Sequence, residues 1–411
     1  MNLIKKIYCR TYQSVFRCAL PLLPYRKPQI LNDYEACISL LKEKNISSLL
    51  LVSDESIRSL QLTKSLENHL KQNDIQCIIY DKTVANPTSD NVEEARELYI
   101  KNSCQAIIGF GGGSCIDCAK AVGARIARPK KSLDKMEGIL KVMRKLPLLI
   151  AIPTTAGTGS ETTLAAVITD SKTRHKYPIN DFSLIPHYAV LDPMVTLSLP
   201  AHISATTGMD ALTHAIEAYI GRSTTKETRK DALEAVKLIF SNLPKVVENG
   251  NDIEARKHML HASFLAGSAF TKSYVGYVHA VAHSLGGKYN IAHGLANAIL
   301  LPNVLEAYGK SAYKKLHKLS CAAGLSNDKE DEKTSALKFI QAIKDMQKKF
   351  HIPNTIPQIK KEDIEELAAY ADKEANPLYP VPKLMDAKQL ENFIYKSWRK
   401  TNEKRRNTGF N

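Results

Sequence analysis

The stretch Ala106-Ile-Ile-Gly-Phe-Gly-Gly-Gly-Ser114 decides the fold. Ala106 to Phe110 is an apolar run that reads as a buried strand, and a helix follows from about Ser114. Glycines between a strand and a helix permit positive φ angles and close backbone approach. The unpaired amides at the start of the helix can then hold a diphosphate. The plainer alternative is a tight strand–helix turn, against which three consecutive glycines and Ser114 weigh. The pattern departs from the usual dinucleotide fingerprint. Its sixth position is Ser114, and the nearest strand-end acid, Asp54, precedes the glycines instead of following them. Asp54 would accept ribose hydroxyls and repel a 2′-phosphate, which favours NAD over NADP. It would equally serve as N-cap of the segment starting at Glu55, and both readings stay open.

Working outward, Ser48 to Val52 is a second buried strand with a helix running to about Gln72. Cys77 to Tyr80 is a strand, Asn91 to Lys101 a helix with acids at its start, and Leu148 to Ile152 a strand ending at Pro153. Alternating strands and helices predict a parallel α/β sheet covered on both faces. Pro153-Thr-Thr-Ala-Gly-Thr-Gly-Ser-Glu161 is a second post-strand loop. Its hydroxyls suit phosphate or ribose oxygens, or simply cap a turn. Beyond Pro193 to Pro200 the pattern becomes helical, at about 204–219, 227–246, 254–270, 275–286, 294–307, 310–323 and 333–350. The proline-rich segment 376–382 cannot continue a helix. The expected organisation is an N-terminal arm (1–30), an α/β dinucleotide-binding domain (31–197) and an all-α metal-binding catalytic domain (198–411).

The 411 residues carry 57 basic and 42 acidic side chains, a formal charge of +15, and are 44% hydrophobic. That length exceeds what one core usually supports, and the apolar fraction excludes a disordered or fibrous chain. No apolar run is long enough for a transmembrane helix. The cations are spread along the chain, with concentrations at Lys5, Lys6 and Arg10 and at Arg399, Lys400, Lys404, Arg405 and Arg406. Without zinc-finger spacing or an aromatic RNA-binding signature, they read as a solvated basic surface, and no nucleic acid is expected. The eight cysteines form no secreted disulfide framework, and Cys115 and Cys118 read as small buried residues. Reduced thiols in a cytoplasm are the expectation. Residues 1–30 hold six basic side chains and no acid. Arg17 interrupts any secretory signal, a mitochondrial presequence is the alternative, and an amphipathic arm docking on the body is the favoured reading.

Asp210 and His214 stand four apart in a predicted helix, so they share a face. His279 and His283 repeat the spacing, and His293 follows ten residues later. Paired ligands on two helices are a common way to hold a divalent cation in a helical domain. The other eight histidines receive plain surface or core roles.

With these residues in view, the chain resembles the iron-containing (group III) alcohol dehydrogenases. The resemblance is carried by Gly111-Gly-Gly-Ser-Cys-Ile-Asp-Cys-Ala-Lys120, by Pro153 to Glu161, by Gly208-Met-Asp-Ala-Leu-Thr-His-Ala-Ile-Glu217, and by His279-Ala-Val-Ala-His283 with His293-Gly294. It spans roughly residues 30 to 390. It implies a dinucleotide domain, a helical metal domain and an active site in the cleft between them. It implies Asp210, His214, His279 and His293 as metal ligands and His283 as a catalytic histidine that is not a ligand. Asp54, Asn86, Gly112, Gly113, Ser114, Asp117, Thr154, Thr155, Thr158, Thr163 and Lys176 fall where the family contacts its cofactor. Tyr274 stands where many members carry a small residue, and would narrow the substrate pocket; Ala292 replaces a common proline.

One carboxylate and three imidazoles suit Fe(II) or Zn(II), and the resemblance favours iron. The expected reaction is hydride transfer between a small alcohol or aldehyde and NAD, with the cation as Lewis acid. His283 would relay a proton or orient substrate, or stand behind the ligands as a hydrogen-bond partner. A homodimer or larger homo-oligomer is expected. The alternatives are a zinc-dependent polyol dehydrogenase, a dehydroquinate synthase-like lyase, and a nucleic-acid-binding protein on a dehydrogenase fold.

Overall fold

A computed structural model describes residues 1–398. The basic run from Arg399 to Arg406 lies outside the described residues. The chain divides into two compact units. One is Pro24–Leu199; the other joins Met1–Leu23 to the residues from Pro200 onward. The boundary falls two residues after the expected 197/198. The first 23 residues, expected as a separate arm, belong to the helical unit.

That unit begins with helix α1 (Leu3–Ala19), capped by Asn2. The α/β unit then runs β1 (Gln29–Leu31), α2 (Tyr34–Glu43), β2 (Ser48–Val52), α3 (Glu55–Ser59), α4 (Lys64–Gln72), β3 (Gln76–Tyr80), α5 (Ser89–Lys101), β4 (Ala106–Gly111) and α6 (Gly113–Ala127). It continues with β5 (Gly138–Ile139), β6 (Leu148–Pro153), β7 (Ala165–Thr169), β8 (Lys176–Asn180) and β9 (Tyr188–Val190). Among the described residues, six strands pair in the order β1-β9-β6-β4-β2-β3, all parallel. Leu50, Val52 and Ile107 fill the core on one face, and Leu49, Leu51 and Ile108 fill the other. This alternation is why the strands read as unbroken apolar runs.

The chain goes from β2 to β3 at one edge and then returns across β2 to β4. The crevice at the carboxyl ends of β2 and β4 is therefore a topological switch point, where open α/β sheets bind ligands. Asp54 follows β2 and the glycine turn closes β4, so the order of strands brings the two motifs together.

A second sheet, β5-β8-β7, has β7 and β8 antiparallel. The sequence reading names neither strand, and in β8 Pro178 is a signal against one. Pro178 is tolerated because β5 pairs only with Ile179 and Asn180, leaving the ladder one-sided at the proline.

His187 joins β9 to β6: its amide donates to the Leu149 carbonyl (2.9 Å) and its Nδ1 accepts from the Leu149 amide (3.1 Å). Burial, with Arg26 nearby, pushes its imidazole down to about 4. The unfolded chain takes up this proton below about 6.5, whereas the fold excludes it until about 4. Stability should therefore fall as pH drops through that window. His187→Asn offers a carbonyl oxygen to the Leu149 amide and does not titrate. Urea unfolding at pH 7 and pH 5 should show a smaller acid-induced loss in the variant; an equal loss would exclude His187 as the cause.

From Pro200 the helices are α7 (Ala201–Ile220), α8 (Lys226–Glu248), α9 (Ile253–Ser273), α10 (Tyr277–Tyr289), α11 (His293–Tyr308), α12 (Tyr313–Ala322), α13 (Glu332–Lys349), α14 (Ile364–Ala375) and α15 (Ala387–Trp398). No strand occurs in this unit among the described residues. α7 is buried along nearly its whole length, so its polar residues need internal partners.

Candidate metal centre and dinucleotide half-site

In the α/β unit, Gly111 has φ +153°, and a Cβ there would stand 2.6 Å from the Cys115 sulfur. Only glycine lets β4 turn into α6 this tightly. Gly112 is the N-cap of α6, and no side chain caps the helix. Thr155 lies beside Gly112, and Thr158 packs against Gly113. Thr154 is buried, its amide bonded to the Gly111 carbonyl at 3.0 Å. Ser114 Oγ accepts from the Asn86 amide (3.3 Å), and Lys176 Nζ donates to Asn86 Oδ1 (2.6 Å). Asn86, Ser114 and Lys176 thus gather at the start of α6.

Asp54 caps α3, accepting from the Ile57 amide at 2.9 Å, and accepts a hydrogen bond from the Cys115 thiol at 3.3 Å. The capping role weighed in the sequence is present in the fold. Asp117 and Thr163 are engaged within the protein. Asp117 accepts from Ser160 Oγ (2.6 Å) and the Val167 amide (3.0 Å). Thr163 accepts from Lys120 Nζ at 2.7 Å. Lys120 is fully buried and also donates to the carbonyls of Thr163 (3.0 Å) and Ala165 (2.8 Å). Burial drags its ammonium down to about 8 although Asp117 and Glu161 oppose the shift, so it remains protonated at neutral pH. Lys120 ties the loop after β6 to α6, a role not assigned from the sequence. Cys115 and Cys118 are buried, and burial pushes the Cys118 thiol up to about 12.

In the helical unit, Asp210, His214, His279 and His293 each place one ligand atom so that all four lie within 4.8 Å of one another. Asp210 and His214 come from α7, His279 from α10, and His293 opens α11. His279 Nε2 is 3.8 Å and His293 Nε2 3.5 Å from Asp210 Oδ1. His214 stacks between Phe270, with ring centroids 4.1 Å apart, and His279, at 4.4 Å.

The donor set fits a divalent cation on two observations. His279 Nε2 is buried and has no hydrogen-bond partner, a state that is costly unless a cation takes the lone pair. Burial also pushes the His279 imidazole well below its ordinary range, holding it in the neutral form that binds metal. Glu217 fixes this ring. Its Oε2 accepts from His279 Nδ1 (2.7 Å) and the Gly276 amide (2.7 Å), and its Oε1 accepts from the Val278 amide (2.9 Å). A Cβ at Gly276 would stand 2.5 Å from Glu217 Oε1, so the carboxylate reaches α10 only past a glycine. Asn297 Nδ2 donates to Asp210 Oδ1 at 2.6 Å and lies 3.1 Å from His293 Nε2.

His283 is half-exposed. Its Nδ1 is 2.7 Å from Glu374 Oε1, which also accepts from the Tyr379 hydroxyl at 2.6 Å. Its ring lies 5.2 Å from that of His293. Tyr274 packs edge-on against Phe16 of α1 at 5.0 Å, so its bulk is taken up by the N-terminal helix.

Glu217, Asn297 and Glu374 are unassigned in the sequence reading. Glu217 is three residues after His214 and Asn297 four after His293, both spacings that share a helix face, so each was findable. Glu374 is 91 residues from His283, and nothing local points to it. A second trio, His317, Cys321 and Asp328, also clusters, but Asp328 is exposed and already paired with Lys318 at 2.6 Å.

Comparison with known proteins places both halves. Residues 31–193 match the iron-containing alcohol dehydrogenase family model, and residues 204–398 match the model for the C-terminal part of the Fe-containing alcohol dehydrogenase family. The chain is 35% identical to the NAD-dependent methanol dehydrogenase of Bacillus methanolicus, over 80% of this chain and 87% of that one. It is also 35% identical to alcohol dehydrogenase 4 of Saccharomyces cerevisiae, over 82% and 87% respectively. The solved alcohol dehydrogenase of Oenococcus oeni superposes with a TM-score of 0.86 at 30% identity, covering 91% of this chain and 100% of that chain. With both family models matched in chain order and the four-residue cluster assembled, the chain belongs to the iron-containing alcohol dehydrogenase family.

Proposed function

We propose that this protein is an NAD-linked, metal-dependent alcohol dehydrogenase acting on a small alcohol or aldehyde. The observation that carries the reading is the buried quartet of one carboxylate and three imidazoles, with His279 Nε2 lacking any hydrogen-bond partner. Asp210, His214, His279 and His293 hold the cation, taken as Fe(II) because of the family; Zn(II) suits the same donors. When bound, the cation supplies Lewis-acid polarisation of the substrate oxygen, and the nicotinamide accepts or returns the hydride. Glu217 keeps the His279 ring aimed and in one tautomer. His283, anchored through Nδ1 by Glu374, holds the proton exchanged with the substrate oxygen.

In the other unit, the uncapped start of α6 at Gly112, Gly113 and Ser114 takes the diphosphate. Asn86, Lys176, Thr154, Thr155 and Thr158 line the same place. Asp54 takes the ribose and disfavours a 2′-phosphate. Asp117 and Thr163 act on the cofactor through the loop that Lys120 anchors. All eight cysteines are free thiols, which accords with a cytoplasmic location. A homodimer or larger assembly belongs to the same reading and is measured by sedimentation. The lyase, polyol and nucleic-acid alternatives are not favoured by the family.

Elemental analysis combined with NAD and NADP reduction over a panel of alcohols tests the proposal; a metal-free protein reducing neither cofactor would end it. Asp54→Ser keeps a capping hydroxyl for α3 while removing the charge. It should raise the NADP-to-NAD ratio of kcat/KM about ten-fold, the scale of one lost repulsion. An unchanged ratio would remove Asp54 from ribose selection.

A further inference from the structure

Helix α1 docks largely through polar contacts, with Phe16 against Tyr274. Cys9 and Gln13 are its buried residues. Gln13 Nε2 donates to the carbonyls of Pro377 (3.1 Å) and Tyr379 (2.8 Å), and Arg10 donates to those of Val381 (2.7 Å) and Pro382 (3.0 Å). Lys5 pairs with Asp372 at 2.7 Å. At about 100° per residue, Leu3, Ile4, Ile7, Tyr8 and Val15 fall on the opposite side. They are left in solvent: Ile4 is 80% exposed, Leu3 71%, Val15 66%, and Leu22 beyond the helix 85%. A folded helix that buries glutamine while presenting isoleucine needs a reason, because contiguous exposed apolar patches mark interaction surfaces.

The charge around the stripe selects the occupant. Lys6 and Arg17 are exposed on the docked flank of α1, within about 40° of Gln13, and the first acidic residue of the chain is Asp33. At the start of α1 a surface hollow is lined by Met1, Lys6, Arg10, Lys383, Asp386 and Lys388. Asp386 is already paired with the Met1 amino group, so the hollow remains positive. A second copy of this chain would set one basic, acid-free N-terminal segment beside another, since a two-fold interface matches a patch with itself. An anionic lipid surface complements both features: acyl chains receive the apolar stripe, and headgroup phosphates receive the cations behind it and around the hollow.

We propose that α1 is a membrane-surface anchor, holding the enzyme in the interfacial plane of an anionic bilayer without crossing it. No helix of the described residues is long and apolar enough to cross one. The proposal stands independently of the dehydrogenase reading.

The test is co-sedimentation of the full chain with vesicles of phosphatidylcholine alone and of phosphatidylcholine mixed with phosphatidylglycerol. Binding is expected on the mixed vesicles only, weakening as salt is raised. Ile4→Asp with Ile7→Asp should weaken it roughly 100-fold. Lys6→Gln with Arg17→Gln should weaken it about five-fold per cation removed. Both pairs should leave far-UV circular dichroism and thermal unfolding in vesicle-free buffer unchanged, which shows that the variants fold. No binding to mixed vesicles, or equal binding to both kinds, overturns the proposal. Self-association that Ile4→Asp with Ile7→Asp abolishes, without vesicle binding, would hand the face to a second copy and overturn it likewise.

Discussion

Asp210→Asn is expected to strip the protein of its divalent cation and to lower kcat/KM by roughly three to four orders of magnitude, the scale of losing Lewis-acid stabilisation. The change is isosteric, and Asn297 can still donate to the retained amide oxygen, so helix packing should survive and far-UV circular dichroism should be unaltered. His279→Ala should reach the same endpoint while also leaving Glu217 without one of its donors. Glu217→Gln separates the ligands from their support. An amide nitrogen facing the Gly276 amide and His279 Nδ1 cannot accept their protons, so metal affinity should fall about 10- to 100-fold without vanishing. Elemental analysis, metal titration and kinetics on the three variants give the ordering. Full metal content in Asp210→Asn would remove the quartet from catalysis.

Lys120→Met should destabilise the α/β unit by about 3–5 kcal/mol, the usual consequence of removing one partner from a buried charged network. The methionine fills most of the space. However, the carbonyls of Thr163 and Ala165 lose a donor, and Asp117 loses the cation 3.8 Å away. Glu161 is buried nearby with both carboxylate oxygens unpaired, and burial pushes its carboxyl up to about 7, so the loop can ill absorb further imbalance. Because this lysine fixes the loop carrying Thr154, Thr155 and Thr158, KM for NAD should rise more than kcat falls. Urea unfolding followed by a probe in the α/β unit measures the first effect; a loss under about 1 kcal/mol would mean that water replaces the ammonium.

The parallel sheet was legible because its central strands are buried on both faces and therefore spell continuous apolar runs. The glycine turn was legible because steric demand at Gly111 admits no other residue. β7, β8, β9 and the edge strand β1 were not, whereas the edge strand β3 was read as Cys77 to Tyr80; β1 and β9 are three residues long, and β8 is broken by proline. Helices α14 and α15 also went unread, although Ile364, Leu367, Ala368 and Ala371 keep helical spacing, because lysines and glutamates dilute the signal. The metal quartet was readable from two i, i+4 pairs, but choosing His293 over His283 needed the resemblance. In the structure His283 Nδ1 pairs with Glu374 instead of joining the quartet. Glu217 shows the general limit. Spacing puts a carboxylate on the right face of α7, yet only tertiary packing past Gly276 brings it to His279.

The helical unit joins residues 1–23 to those from Pro200 onward. The carbonyls that receive Arg10 come 371 and 372 residues later. At a ribosomal elongation rate of about 5–20 residues per second, α1 waits roughly 20–70 s for its seat to be synthesised. Once Leu199 is made the α/β unit can close within that interval, while the docking side of α1 still lacks its partners. A chain of this design completes its helical unit only after the α/β unit lying between the two parts has been made.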